Sequence, residues 1–134
     1  MGAAPLRANP EIMPNDIFPD ELTLLHNPRC SKSRAAKALL EERGTQFRER
    51  QYLSEPLSSA ELAELAKRLD KPCSEWVRRG EDAYAAAGLG AEADDKSLLA
   101  AMARDPILIE RPILIGRKRA VVGRPPERIL ELIE

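Results

Sequence analysis

The stretch Leu22-Thr23-Leu24-Leu25-His26-Asn27-Pro28-Arg29-Cys30-Ser31-Lys32-Ser33-Arg34 decides how this chain folds. It opens with a short apolar run, the pattern of a buried strand, and Asn27-Pro28 is a turn signal that stops it. From residue 31 to 43, Ala35, Ala36, Leu39 and Leu40 fall on one helical face, and Gly44 stands at the C′ position that ends helices. Cys30 therefore lies between a strand and a helix N-terminus. The first N–H groups of a helix have no internal partner, and the peptide dipoles leave partial positive charge there. Helix N-termini and nearby cations lower a cysteine pKa from about 8.5 to roughly 3.5–7.5, so the thiolate is favoured. Lys32, Arg34 and His26 are close enough in sequence to add positive potential. The same N–H groups bind anions. One position can thus hold an oxyanion and present a nucleophile to its central atom.

Outward from this stretch, residues 47–53 read as a second strand closed by Pro56, which completes strand–turn–helix–strand. Ser58 followed by Glu61 is a capping box, and Leu62, Leu65, Ala66 and Leu69 continue at helical spacing. A short helix is predicted over residues 74–79, stopped by Gly80, and another over 95–104 with Leu98, Leu99 and Met102 inward, ended by Pro106. Two short apolar runs, 113–115 and 120–122, are joined as a hairpin by Gly116-Arg117-Lys118-Arg119. Pro125-Pro126-Glu127 opens a last helix carrying Ile129, Leu130, Leu132 and Ile133. The expected fold is α/β over residues 21–134: a small mixed four-stranded sheet flanked by helices, with a helical insert at about 58–105. Residues 1–20 hold four of the eleven prolines and no hydrophobic period, so a flexible extension is expected there.

The chain has 134 residues, enough for one domain, and a formal net charge of −1. That balance argues against general nucleic-acid affinity, and no apolar run reaches the length of a membrane span. No signal peptide is evident, so the cytosol is the expected location. Two cysteines and one histidine leave no metal-ligand spacing, and a structural disulfide is not expected. Cys73, beside Pro72 and close to Trp76, reads as a packing residue. A phosphatase-type loop needs five residues between Cys and Arg. Here three separate Cys30 from Arg34.

The segment 26–34 resembles the active-site signature of the glutaredoxin-linked arsenate reductase family. The likeness continues through Tyr52-Leu53 with Pro56, Trp76-Val77-Arg78-Arg79, the run 106–113 and Gly123-Arg124-Pro125, and so covers residues 21–134. It implies a thioredoxin-like fold with Cys30 as nucleophile and Arg78, Arg111 and Arg124 as the oxyanion-binding arginines. His26, Asn27, Ser33, Arg34 and Pro112 would support them, with Arg111-Pro112 in the cis form. The implied reaction is reduction of arsenate to arsenite through a Cys30 adduct. Glutathione is then a cosubstrate and glutaredoxin a partner, with no metal and no bound cofactor, and a monomer is expected. Two other readings use the same residues. One is a monothiol oxidoreductase acting on another thiol adduct, such as a glutathionylated protein. The other is a redox-linked regulator that binds RNA polymerase; members of that kind carry Cys-x-x-Cys, whereas here the second position is Ser33.

Overall fold

A computed structural model describes residues 17–133. Strand β1 (Thr23–Leu25) runs through the Asn27-Pro28 turn into helix α1 (Ser31–Glu42), and the chain returns as β2 (Arg48–Arg50). β1 and β2 pair in parallel, with Leu24 opposite Glu49, as a helical crossover demands. The last two strands, β3 (Ile113–Ile115) and β4 (Ala120–Val122), form the expected hairpin. β3 lies antiparallel to β1, so the sheet is mixed and its order is β2-β1-β3-β4.

Alternation along the strands sorts side chains onto two faces. Leu24 and Leu114 meet Ala36 and Leu40 of α1, with Ile129 from the C-terminal segment. Leu25, Ile113 and Ile115 belong to the larger cluster, which holds residues from the segment between β2 and β3. β1 is buried on both faces, so Thr23, Leu24 and Leu25 show no alternation of polar and apolar exposure. Strands of three residues could not stand alone. Burial of each leucine contributes about 1.5–3 kcal/mol relative to exposure, and this packing holds them.

Between β2 and β3 the chain forms α2 (Ser59–Leu69), a 3-10 turn (Cys73–Glu75), α3 (Asp82–Ala86), α4 (Asp95–Arg104) and a second 3-10 turn (Pro106–Leu108). The capping box is present: Glu61 N donates to Ser58 Oγ at 3.1 Å, and Ser58 N donates to Glu61 Oε1 at 2.8 Å. Leu62, Leu65 and Leu69 of α2 pack against Leu98, Ala101 and Met102 of α4 within the larger cluster.

Several elements differ from expectation. The second strand shrinks to Arg48–Arg50 because it pairs only along β1, and the chain turns at Tyr52. The helix predicted over 74–79 is a single 3-10 turn. Val77 instead bridges Ile109 in antiparallel fashion, so a distant strand contact overrides the local pattern. Helix α3 was not foreseen. On α1, Ala35 is exposed and Ser33 takes an inward place with Ala36 and Leu40. The C-terminal helix is 3-10 over Pro126–Leu132. Ile17 to Asp20, expected within the flexible extension, pack on the domain: Phe18 is only 3% exposed. Its ring lies under the guanidinium of Arg68, 5.6 Å from the centroid. Arg68 is in turn fixed by Glu64 at 2.6 Å and by the Gly116 carbonyl at 2.9 Å. The remainder of that extension, residues 1–16, lies outside the described residues.

Candidate active site around Cys30

The Cys30 loop is tied down by its own neighbours. Cys30 N donates to Asn27 O at 2.9 Å, which closes a tight turn. The Asn27 side-chain oxygen accepts from Arg29 N at 3.0 Å, and Ser33 Oγ accepts from Asn27 N at 3.3 Å. Arg34 Nη1 donates to Pro28 O at 2.9 Å. Asn27, Ser33 and Arg34 therefore act as fasteners of the turn onto the first turn of α1. Cys30 itself is the N-cap residue, with extended backbone and partly exposed side chain.

The sulfur makes no conventional cap hydrogen bond, so the helix's orphan N–H groups remain free to act on it. Burial pushes its pKa up, but the N–H groups of Ser33 and Lys32 and the guanidinium of Arg111 outweigh that, and the net direction is down. The positive side chain that matters is thus Arg111, brought in from the far end of the insert. By sequence His26 reads equally as a structural histidine or as a cation near the thiolate, and its burial favours the first. His26 is 3% exposed, and desolvation, the largest influence, lowers its pKa. It is a buried imidazole whose charged form is disfavoured. Arg34 spends its donor on Pro28, and the Lys32 side chain is exposed.

Cys73 has the opposite character. It is fully buried, and desolvation followed by the nearby Asp95 carboxylate pushes its thiol up to about 11. In native protein near neutral pH, iodoacetamide is therefore expected to label Cys30 and leave Cys73 unmodified. The Cys30 rate should persist below the pH at which an ordinary thiol loses reactivity, and fall only as pH drops through its lowered pKa. Peptide mapping across a pH series checks this. A midpoint at or above that of a free cysteine would contradict it.

The three arginines converge, and a carboxylate organises them. The Val77–Ile109 bridge, with Arg78 N donating to Leu108 O at 2.7 Å and Glu110 N to Trp76 O at 3.0 Å, sets Arg78 beside Glu110. Glu110 Oε1 accepts from Arg78 Nη1 at 2.9 Å and from Arg111 N at 3.1 Å, and lies 3.2 Å from Arg124 Nε. Arg124 Nε also donates to Arg111 O at 3.0 Å. That approach depends on Gly123, where a Cβ would come within 2.9 Å of both Pro112 and Ile129. Arg111-Pro112 is cis, as the resemblance implied, and Arg124-Pro125 is cis as well.

The arginines are not equivalent. Every nitrogen of the Arg78 guanidinium meets a carboxylate, from Glu81 or Glu110. Arg124 is anchored at Nε and its side chain is 32% exposed. Arg111 is the exception, since its Nε and Nη1 are buried without a partner among the described residues. Buried donors are almost always paired, so such atoms point to an absent acceptor.

Glu110 and Glu81 were missed as site residues. The signal for Glu110 was electrostatic: the guanidinium groups of Arg78 and Arg124 cannot lie close together without a carboxylate between them. Among the described residues no group of three His, Cys, Asp or Glu could hold a metal ion, and no helix is long and apolar enough to cross a membrane.

A four-stranded mixed sheet flanked by helices, with a cysteine capping the helix after its first strand, defines a thioredoxin-like protein. The chain belongs to the ArsC family, whose pattern it matches over residues 25–132. It is 42% identical to an arsenate reductase of Neisseria meningitidis over 111 residues, covering 81% of this chain and 95% of that protein. It is 38% identical to an arsenate reductase of Haemophilus influenzae, covering 82% and 97%. The solved structure of an arsenate reductase from Vibrio cholerae superposes with a TM-score of 0.78 at 40% identity, covering 83% of this chain and 96% of that one.

Proposed function

We propose that this chain reduces arsenate to arsenite through a covalent Cys30 adduct, with glutathione as cosubstrate and glutaredoxin as reductant, as a monomer in the cytosol. The observation that supports this best is Arg111, which holds two buried, unpartnered donors beside a sulfur whose ionisation is favoured. Buried donors without acceptors are costly, and a bound oxyanion would supply acceptors for these two.

In this scheme the Cys30 thiolate attacks arsenic, and one oxygen, protonated from solution, leaves as water. Arsenic stays pentavalent. Glutathione then displaces a second oxygen, also as water. The glutaredoxin thiolate attacks the glutathione sulfur, and the electrons of the sulfur–arsenic bond pass to arsenic, which becomes trivalent. The oxidised product is a glutaredoxin–glutathione disulfide. Water cleaves the remaining Cys30–arsenic bond, releasing arsenite and restoring the thiol. Arg111 holds oxygens of the anion and favours the thiolate, and Arg124 adds positive charge at the exposed side. Arg78, committed to Glu81 and Glu110, fixes the carboxylate that anchors the Arg124 side chain and the Arg111 backbone.

The direct test is arsenate-dependent NADPH oxidation in the presence of glutathione, glutaredoxin and glutathione reductase. Turnover is expected. Its absence under conditions where another family enzyme turns over would refute the proposed activity and leave the fold assignment intact.

A further inference from the structure

The scheme above leaves three buried polar atoms of this region unused and without a partner among the described residues: His26 Nδ1, Trp76 Nε1 and the Tyr52 hydroxyl. Of these, Tyr52 is fully buried, and its hydroxyl has no hydrogen-bond partner among the described residues. It belongs to the apolar cluster that contains Trp76, Val77, Ile109 and Ile113, the residues that flank Arg78, Glu110 and Pro112 in sequence. Arg50 O accepts from His26 N at 2.9 Å, so Tyr52, just beyond β2, stands at the same end of the sheet as the turn leading to Cys30. The charges acting most strongly on its hydroxyl are those of Arg111, Arg78, Cys30 and Glu110. A phenylalanine would fill nearly the same volume without leaving a polar atom unpaired, so the hydroxyl is a cost that packing does not explain.

We infer that the Tyr52 hydroxyl is a ligand of the substrate, donating a hydrogen bond to an oxygen of the tetrahedral oxyanion that Arg111 Nε and Nη1 hold before Cys30. This rests on the reading of the pocket as an oxyanion site. Burial pushes the phenol up to about 12, so across the working pH range it carries its proton and acts as a donor. Its role differs from that of the arginines. A guanidinium attracts any anion, whereas a neutral donor at a fixed place rewards only an anion with an oxygen directed at it. Tyr52 thereby favours tetrahedral oxyanions over chloride or a carboxylate.

The test is Tyr52→Phe, measured first by the arsenate concentration that half-protects Cys30 from iodoacetamide. That concentration should rise roughly tenfold to a hundredfold, the range for a lost hydrogen bond to a charged group. kcat/KM for arsenate should fall by a similar factor. Phosphate, tetrahedral and not reducible here, should show the same loss of protection without any turnover. Without anion, the alkylation rate of Cys30 and its pH midpoint should be unchanged, and Tm should be unchanged or higher. Equal protection of variant and native protein would overturn the inference, as would a marked drop in Tm or a slowed alkylation, either of which marks a structural role. If neither anion protects even the native protein, the oxyanion reading itself fails. That outcome is distinct from equal protection in both.

Discussion

Replacing Cys30 with serine is expected to reduce arsenate turnover by at least about 10³-fold, to the background of the coupling system. The site supplies N–H groups of the α1 N-terminus and the Arg111 guanidinium, which stabilise a negative sulfur. Neither can remove a proton from an alcohol whose pKa lies far above the working range. The serine hydroxyl would stay neutral and unreactive, while the turn would survive because its hydrogen bonds run through Asn27, Ser33 and the backbone. An unchanged Tm would show that chemistry, and not folding, was lost. Cys73→Ala is the matching control. Its thiol is buried and pushed up to about 11, so most activity should remain. An equally inactive yet folded Cys73 variant would replace the single-cysteine scheme with a two-cysteine relay.

Arg111→Ala is expected to lower kcat/KM for arsenate by about 10²–10³-fold, the range for removing a preorganised donor from an anionic transition state. Two effects combine in that loss. The buried donors at Nε and Nη1 disappear, and so does the cation that helps depress the Cys30 pKa. The second effect has a defined sign. A cysteine with a lowered pKa is reactive above that pKa and loses reactivity as pH falls through it. Removing Arg111 moves the window to higher pH, so alkylation of Cys30 near neutrality should slow. Arg111→Lys separates the effects: the charge remains and most of the pKa depression with it, but the planar set of donors does not. Alkylation should then recover more fully than kcat/KM. If Arg111→Ala retained kcat/KM within about threefold of native, the oxyanion would have to be held elsewhere, and Arg124 would be the next residue to replace.

These expectations rest on residues of very different legibility. The turn at Asn27-Pro28, the capping box at Ser58 and Glu61, helix α4 and the hairpin through Gly116 are carried by hydrogen-bonding and periodic patterns spanning a few residues. Such patterns act before the chain has folded, and the sequence displays them directly. Cys30 at a helix N-terminus was legible for the same reason. The resemblance to a family brought Arg78, Arg111 and Arg124 together, although each alone reads as a surface residue.

What the tertiary structure decided was pairing across distance. The bridge between Val77 and Ile109 cancelled a locally plausible helix and set Arg78 against Glu110. Glu81 and Glu110 then saturated Arg78, leaving Arg111 as the guanidinium with buried open donors. Burial disfavoured the charged form of His26 and drew Phe18 into the core from a proline-rich segment. The amino-acid sequence by itself determined the strand–turn–helix frame and the position of its nucleophile, because the interactions that build them are local. Which charges are spent on one another, and which remain open for a substrate, depended on packing between residues far apart in the chain.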